Sequence, residues 1–549
     1  MAGGIGRGRI SPATCRVCWA GADAQQRRPD IATEVELKLG AKAADFPDLK
    51  RALAALAAAP TGAPRRLIST YYDTPDLTLQ HHGLTLRVRE QEGRFIQTVK
   101  RGDLTAADIL TRGEWEDQLA ENRPDPNAPQ SGKQLPEGID DAALRPLFAT
   151  DVTRTTVEIE PAPSTRIEAA IDEGEIRADS GNRTAPISEI ELELKSGEVA
   201  ALYDVAMRLF EAAPVHIELR SKSARGYELS EIPVAAPSPV HAKSVTLDPA
   251  MTVEAALQQI GRSCLAHLLH NEPAALARQP EGVHQIRVAA RRLRSVIAAL
   301  KDLLPAEERR WISEELKWLV DALAEARNLD AFATDLLQPV KAAIAYKPGM
   351  GELAETLESA RRTAYDRAEE AILSERHAVG MLRLSHWFEA HGWRSEIGAP
   401  ATKLTVPMSE LAPSLLDRRW RQLRRRSKGF RRQTSHQRHK LRIAAKKLRY
   451  TVELLESLFE ATEVERFVRR LKRLQDDLGY ANDVRVARDI VRELSLQASR
   501  SVVADAGAEL LEYHEQAQTK GERKLRKRLD RLRRANRFWP KDERQKPQD

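Results

Sequence analysis

Three cysteines in 549 residues are too few for a disulfide framework, which points to a reducing compartment. Cys15 and Cys18 have the spacing of metal ligands, but no second pair or histidine stands nearby to complete a zinc site, and Cys264 is alone. No apolar run approaches the ~18 residues of a membrane span, and residues 1–30 lack the continuous apolar core of a signal peptide. The expectation is a soluble, cytoplasmic protein with no membrane partner. What each half of the chain lacks is charge balance. Residues 1–250 hold 30 Lys and Arg against 38 Asp and Glu, whereas residues 251–549 hold 57 against 42. An acidic half is joined to a basic half, and the second half is suited to a polyanion.

The length exceeds that of a single core, so two large domains are expected. Met1 to Asp30 is rich in Gly, Arg, Ala and Gln without periodicity and reads as a disordered tail. From residue 31 to 231 most of the periodicity is that of strands. In Glu34 to Gly40, Glu34, Glu36 and Lys38 alternate with Val35, Leu37 and Leu39, sending charge to one face and apolar side chains to the other. The same alternation returns with Arg87 and Arg89 between Leu86 and Val88, with Lys100 in phase with Thr98, and with Glu114 and Glu116 around Trp115. Arg154, Thr156 and Glu158 share a face, Asp172 falls at a strand end before Gly174, and Glu189, Glu191 and Glu193 alternate with Ile190, Leu192 and Leu194. Val215 to Ser223 reads as a last strand with Glu218, Arg220 and Lys222 on one side. Ala41 to Ala59 and Ala200 to Ala213 have helical spacing.

So many half-charged strands cannot all be edges, and unpaired charges in a dry core would be costly. A closed antiparallel barrel resolves the conflict: apolar residues face outward toward helices, and acids and bases line a wet lumen. Carboxylates there suit a hard divalent cation, and Arg and Lys suit phosphate oxygens.

These stretches, with Tyr71 to Asp76 (YYDTPD) and Ser221-Lys222-x-x-Arg225-Gly226-Tyr227, resemble the CYTH domain of the triphosphate tunnel metalloenzymes. The resemblance implies an eight-stranded tunnel that cleaves a triphosphate with Mg²⁺ or Mn²⁺. It implies Glu34, Glu36, Asp172, Glu189 and Glu191 as metal ligands, and Arg87, Arg89, Lys100, Arg154 and Lys222 as a clamp on the phosphates. Glu34, Glu36, Lys38 and Lys222 are the implied catalytic group. Glu193 is in phase but serves equally well as a neutraliser near the mouth.

Residues 232–250 are proline-rich and read as a linker. From 251 to 538 the period becomes 3.6, which predicts an all-α domain, and 539–549 reads as a second disordered tail. An internal repeat runs through this half. His284, Arg287, Arg291 and Arg294 return at an offset of 155 as His439, Arg442, Lys446 and Arg449, and Arg327 returns as Asn482. Two pseudo-symmetric helical bundles follow. On a helix the first four residues fall within an arc of ~80°, opposite Ile286, Ala290 and Leu293, with no acid interleaved for a full turn or more. Each copy is therefore expected to carry a cationic stripe.

The paired H-x-x-R-x-x-x-[RK]-[RK]-L-R segments resemble the CHAD domain, an α-helical module that accompanies CYTH domains. That resemblance implies long-chain polyphosphate as a partner, with the eight stripe residues as its ligands, and association with polyphosphate granules. No carboxylate or cysteine is positioned with the histidines, which argues against a metal there. Three functions compete: an inorganic triphosphatase acting on tripolyphosphate, a binding protein with an inert tunnel, and a nucleic-acid binder, which the scarcity of aromatics around the stripes disfavours. Within the tunnel family, adenylate cyclase and thiamine triphosphatase are the other chemistries.

Overall fold

A computed structural model of the chain describes residues 33–101, 111–178, 182–230, 237–343, 348–394, 401–498 and 501–540. The leading tail, Cys15 and Cys18 lie outside the described residues, as do 541–549 and the side chain of Glu34.

The first half is a closed antiparallel sheet. Its strands are β1 (Thr33–Gly40), β2 (Arg65–Asp73), β3 (Leu84–Gln91), β4 (Arg94–Arg101), β5 (Thr111–Leu119), β6 (Arg145–Ala162), β7 (Thr165–Ala178), β8 (Arg183–Ser196) and β9 (His216–Ile217). They run in the order β5-β4-β3-β2-β6-β7-β8-β1-β9, and β5 pairs back onto β1 through Thr33–Gly113 and Val35–Thr111. Eight strands thus form the ring, and the two-residue β9 is appended to the end of β1 at Leu39 and Gly40. Closure leaves the ring strands without a free edge.

The alternation read from the sequence decides which side is which. Leu37, Leu39, Ile190 and Leu192 are fully buried outside the ring, under α1 (Phe46–Leu56) and α3 (Ala200–Ala212). A slip of one residue would turn these leucines into the lumen and the charges into the apolar layer, so the register is strongly specified. A short helix α2 (Thr78–His81) follows β2, and α4 (Lys222–Leu229) closes this half.

Two local expectations change. The stretch expected to be the last strand pairs only at His216 and Ile217. Ser221 then caps a helix, its hydroxyl accepting the Ala224 N–H at 3.0 Å, so Lys222 enters from a helix N-terminus rather than from a strand. Asp172 is inside a strand, not at its end, because β7 runs on through Gly174 to Ala178. Gly174 is there for close approach: a Cβ would lie 2.0 Å from the Asp151 carbonyl oxygen on β6.

The second half is helical: α5 (Val253–Leu269), α6 (Glu272–Leu276), α7 (Pro280–Ala299), α8 (Ala306–Ala322), α9 (Ala324–Ala331), α10 (Gln338–Ala343), α11 (Pro348–Ile372), α12 (Glu375–Glu389), α13 (Ala401–Leu404), α14 (Met408–Arg426), α15 (Ser435–Leu455), α16 (Ala461–Ala498) and α17 (Ser501–Arg533). None of the described helices is long and apolar enough to cross a membrane. The repeat is visible in three dimensions: Arg327 Nε lies 2.9 Å from His284 Nδ1, and Asn482 Oδ1 lies 3.3 Å from His439 Nδ1. Trp539, expected in the trailing tail, is buried, and its indole N–H donates to Asp417 at 2.7 Å.

The two halves share one apolar core. The cluster containing Leu37, Leu49 and Leu209 continues without a break into Val253, Leu257 and Leu384. Helix α3 packs on α12, where His386 Nε2 meets Asp204 Oδ1 at 3.0 Å. Residues 237–250 are strapped to the helices: the Val240 N–H donates to Asn271 Oδ1 at 2.9 Å, and the Leu247 N–H to Ser457 Oγ at 2.9 Å.

Because the clash at Gly174 is with backbone, Gly174→Ala is expected to destabilise the protein by about 1–3 kcal/mol, read as a lower midpoint in urea denaturation. The exposed Gly351, where a Cβ would meet nothing, is the control.

Candidate active site and cationic cleft

The lumen holds a cavity of about 500 Å³. Glu36 and Lys38 of β1, Arg87 and Arg89 of β3, Lys100 of β4, Arg154 of β6, Asp172 of β7, Glu191 and Glu193 of β8 and Lys222 of α4 all line it. Residues up to 186 positions apart in the chain are thereby gathered on one wall system. Glu34 lies on β1 opposite Arg112.

At the centre stand Asp172, Glu189 and Glu191, whose carboxylate oxygens can all lie within 4.8 Å of one another. Asp172 and Glu189 are paired directly across β7 and β8 and are buried. Like charges so close are tolerable only with compensation. Arg154 donates to both Asp172 oxygens at 2.7 Å and to Glu191 at 2.6 Å. Lys222 Nζ is 2.7 Å from Asp172 and 3.0 Å from Glu191, and it also meets Glu189. Lys38 Nζ lies 3.2 Å from Glu191 and 3.6 Å from Glu189.

Burial alone would raise these carboxyl groups. Instead Lys222 and Arg154 hold Asp172 below the usual range, and Lys222, Lys38 and Arg154 hold Glu191 well below it. Both stay ionised at neutral pH. In return, burial would lower Lys222 and Arg154, but the same carboxylates raise both.

On the far wall Arg87 is 3.3 Å from Glu114, and Lys100 is 2.5 Å from the other oxygen of Glu114. Arg89 donates to Ser69 Oγ at 3.3 Å, and repulsion from Arg87 together with burial lowers it to about 10. A cluster of cations with few acids between them is what a phosphate chain requires.

Of the five acids expected to hold metal, the three from β7 and β8 come together. Glu36 lines the same cavity outside that group. The donor set is all carboxylate oxygen, which suits a hard divalent cation and not a thiophilic one. Glu193, in turn, is neutralised by Lys195 at 2.6 Å. Two site residues carried no assigned role in the sequence reading. Arg225 lies 3.3 Å from Glu189, and its signal was its spacing of three from Lys222 on one helix. Glu114 holds Lys100, its direct register partner.

The stripes of α7 and α15 are real but are not simple solvent faces. These two helices pack together, and Arg291 of the first copy is among the charges that lower Arg442 and Lys446 of the second. The two stripes therefore lie within electrostatic reach of each other. Lys446, pressed by burial and then by Arg442, Arg291 and Arg449, falls to about 6. His284 falls to about 4 through burial and Arg327, so it is neutral at neutral pH and adds no charge to the stripe. Arg287 is buried and spends one nitrogen on the Val320 carbonyl; burial and Arg291 lower it to about 9. Arg449 meets Glu453 one turn on at 3.4 Å. Arg294 is half-buried and Arg442 also feels Asp483. Along the stripes Arg287 is buried and the other seven residues are half-buried.

Residues 32–227 match the family model of the CYTH domain, and residues 259–492 match that of the CHAD domain. An inorganic triphosphatase of Haemophilus influenzae is 36% identical over 161 residues, which is 29% of this chain and 45% of that protein, so this chain spans less than half of its length. A Mycobacterium tuberculosis protein described as uncharacterized is 25% identical over 502 residues, 86% of this chain and 90% of that one. Among solved structures, the CHAD domain of the plant Ricinus communis covers 55% of this chain and 99% of that one at 25% identity, with a TM-score of 0.48.

The depressed Lys446 has a measurable consequence. Between pH ~6 and its ordinary 10.5 the unfolded chain holds a proton that the folded chain has released, so stability through this group rises with pH across that window and falls on acidification toward 6. Lys446→Met is expected to raise the melting temperature at pH 7 in polyanion-free buffer and to flatten this pH dependence, as followed by circular dichroism.

Proposed function

From a chain that joins a CYTH domain to a CHAD domain, we propose that the tunnel hydrolyses inorganic tripolyphosphate to diphosphate and phosphate with Mg²⁺ or Mn²⁺, while the helical cleft binds longer polyphosphate. The observation that carries the reading is the carboxylate group Asp172, Glu189 and Glu191 set beside a cation-lined cavity. The likeness to an inorganic triphosphatase over the tunnel half supports the same reaction.

In this reading the three carboxylates hold a divalent cation, and Glu34 and Glu36 of β1 complete the acidic side. The cation supplies charge neutralisation of the phosphoanhydride and a lowered pKa for bound water. Arg87, Arg89 and Lys100 grip the phosphate chain from the far wall, the arginines as planar forks and the lysine as a point charge. Lys38, Arg154 and Lys222 are shared: they neutralise the carboxylates in the resting protein and would turn to phosphate oxygens when a phosphate chain enters, leaving the carboxylates to a divalent cation. Exchanging one ion pair for another lowers the desolvation cost of admitting a polyanion.

In the cleft, Arg291, Arg294, Arg442, Lys446 and Arg449 are the proposed ligands of polyphosphate, with His284 and His439 as hydrogen-bond donors and Arg287 as a buried support. Binding should be strongly salt-dependent because counterions are released. It should also draw a proton onto Lys446. The combination agrees with a protein that works in the cytoplasm at polyphosphate granules, where the cleft recruits the tunnel to its substrate. A tunnel acting on an organic triphosphate such as thiamine triphosphate or ATP is the alternative, since the same cations would hold either.

A phosphate-release screen with Mg²⁺ or Mn²⁺ is expected to give turnover on tripolyphosphate at least tenfold above ATP and thiamine triphosphate; a preference for either organic substrate would replace this reading. Glu36→Ala should remove turnover and leave long-chain polyphosphate binding intact. Arg291→Glu with Lys446→Glu should do the reverse. If each variant loses both properties, the two sites are not separate.

A further inference from the structure

Asp73 is a fully buried carboxylate that takes no part in the group above. Its Oδ1 accepts the N–H groups of Thr74 at 2.7 Å and Leu79 at 2.8 Å, and its Oδ2 accepts the Gln80 N–H at 3.0 Å. The fourth donor comes from 154 residues away: the Tyr227 hydroxyl, at 2.8 Å. One carboxylate therefore ties the end of β2 and the start of α2 to helix α4.

Helix α4 is also the element that delivers Lys222. Between Lys222 and Tyr227 lies Gly226, which rests so tightly on Phe148 of β6 that a Cβ would fall 2.1 Å from the ring. Phe148 stacks on Tyr71 at 4.7 Å and meets Tyr227 edge-on at 5.3 Å. Burial would raise the Tyr71 hydroxyl, but the Arg87 guanidinium lies close enough to hold it below the ordinary value. Eight residues of helix are thus anchored at one end by a buried hydrogen bond and an aromatic stack, while the other end presents an ammonium to three carboxylates.

We propose that Asp73 and Tyr227 are positioning residues for Lys222: their hydrogen bond, seated on the Phe148 ring, holds α4 so that the ammonium remains on Asp172, Glu189 and Glu191 and excludes a cation from them until a phosphate chain draws it away. The proposal rests on the reading of these carboxylates as a cation site. It makes the clamp a setting for how readily the empty tunnel takes up metal. A lysine that competes for the same oxygens weakens metal binding and strengthens phosphate binding, so loosening it moves the two in opposite directions.

The test is a double-mutant cycle on the full chain with two readouts. Mn²⁺ affinity without substrate is measured by calorimetry, and KM for tripolyphosphate by phosphate release. Lys222→Ala is expected to tighten Mn²⁺ binding about tenfold and to raise KM. Tyr227→Phe keeps the ring and removes only the hydroxyl; it is expected to tighten Mn²⁺ binding about threefold, to raise KM, and to add nothing in the Lys222→Ala background. Phe148→Leu, which loosens the stack without touching the hydrogen bond, is expected to act in the same direction as Tyr227→Phe. Additive effects in the double variant, or weaker Mn²⁺ binding in Tyr227→Phe, would overturn the proposal. If the unaltered protein does not hydrolyse tripolyphosphate, the reading of the reaction fails while the Mn²⁺ arm still decides the clamp.

Discussion

Three carboxylates on two neighbouring strands, with two of them directly opposed, form the constraint to which the rest of the barrel answers. Left to themselves they would repel, and burial would protonate at least one. The barrel supplies a cation for them through strand register: Lys38 sits opposite Glu191 across β1 and β8, and Arg154 sits opposite Asp172 across β6 and β7. Lys222 comes from outside the sheet, on a helix. The strand order is what puts β1 beside β8, so the electrostatic balance and the topology are a single arrangement.

The helical half solves the opposite problem. There the like charges of two repeats are pressed together on packed helices with scattered carboxylates such as Glu453 and Asp483 nearby. The strain is expressed in a lysine whose proton is held loosely at neutral pH. The ions of the tunnel are mutually satisfied, whereas those of the two stripes are not. A continuous apolar core joins the two, so they are carried as one body.

Much of the barrel was legible because a period of two is unambiguous when one face is charged and the other is leucine, isoleucine and valine. The charged face of Glu189, Glu191 and Glu193 and the paired Arg87 and Arg89 could be assigned to a lumen by eliminating the alternatives. Glu218, Arg220 and Lys222 mimic the alternation of a strand, while Ser221, standing between the last two, caps a helix and turns the backbone. Gly174 after Asp172 has the look of a strand stop, whereas it makes room for a neighbouring carbonyl inside β7. In the helical half the repeat and its face were legible, but not the helix packed over it, which buries Arg287 and neutralises His284.

The amino-acid sequence by itself determined which residues carry charge, which face of each strand or helix they occupy, and that a cationic repeat is present twice, because those properties follow from local spacing. Only the tertiary structure decided that Asp172, Glu189 and Glu191 share a single point, that Lys222 reaches them from a helix held by Asp73 and Tyr227, and that the two stripes lie within electrostatic reach of each other. Local periodicity sets a side chain's direction, but distance between residues far apart in the chain depends on ring closure and helix packing, and ionisation depends on that distance.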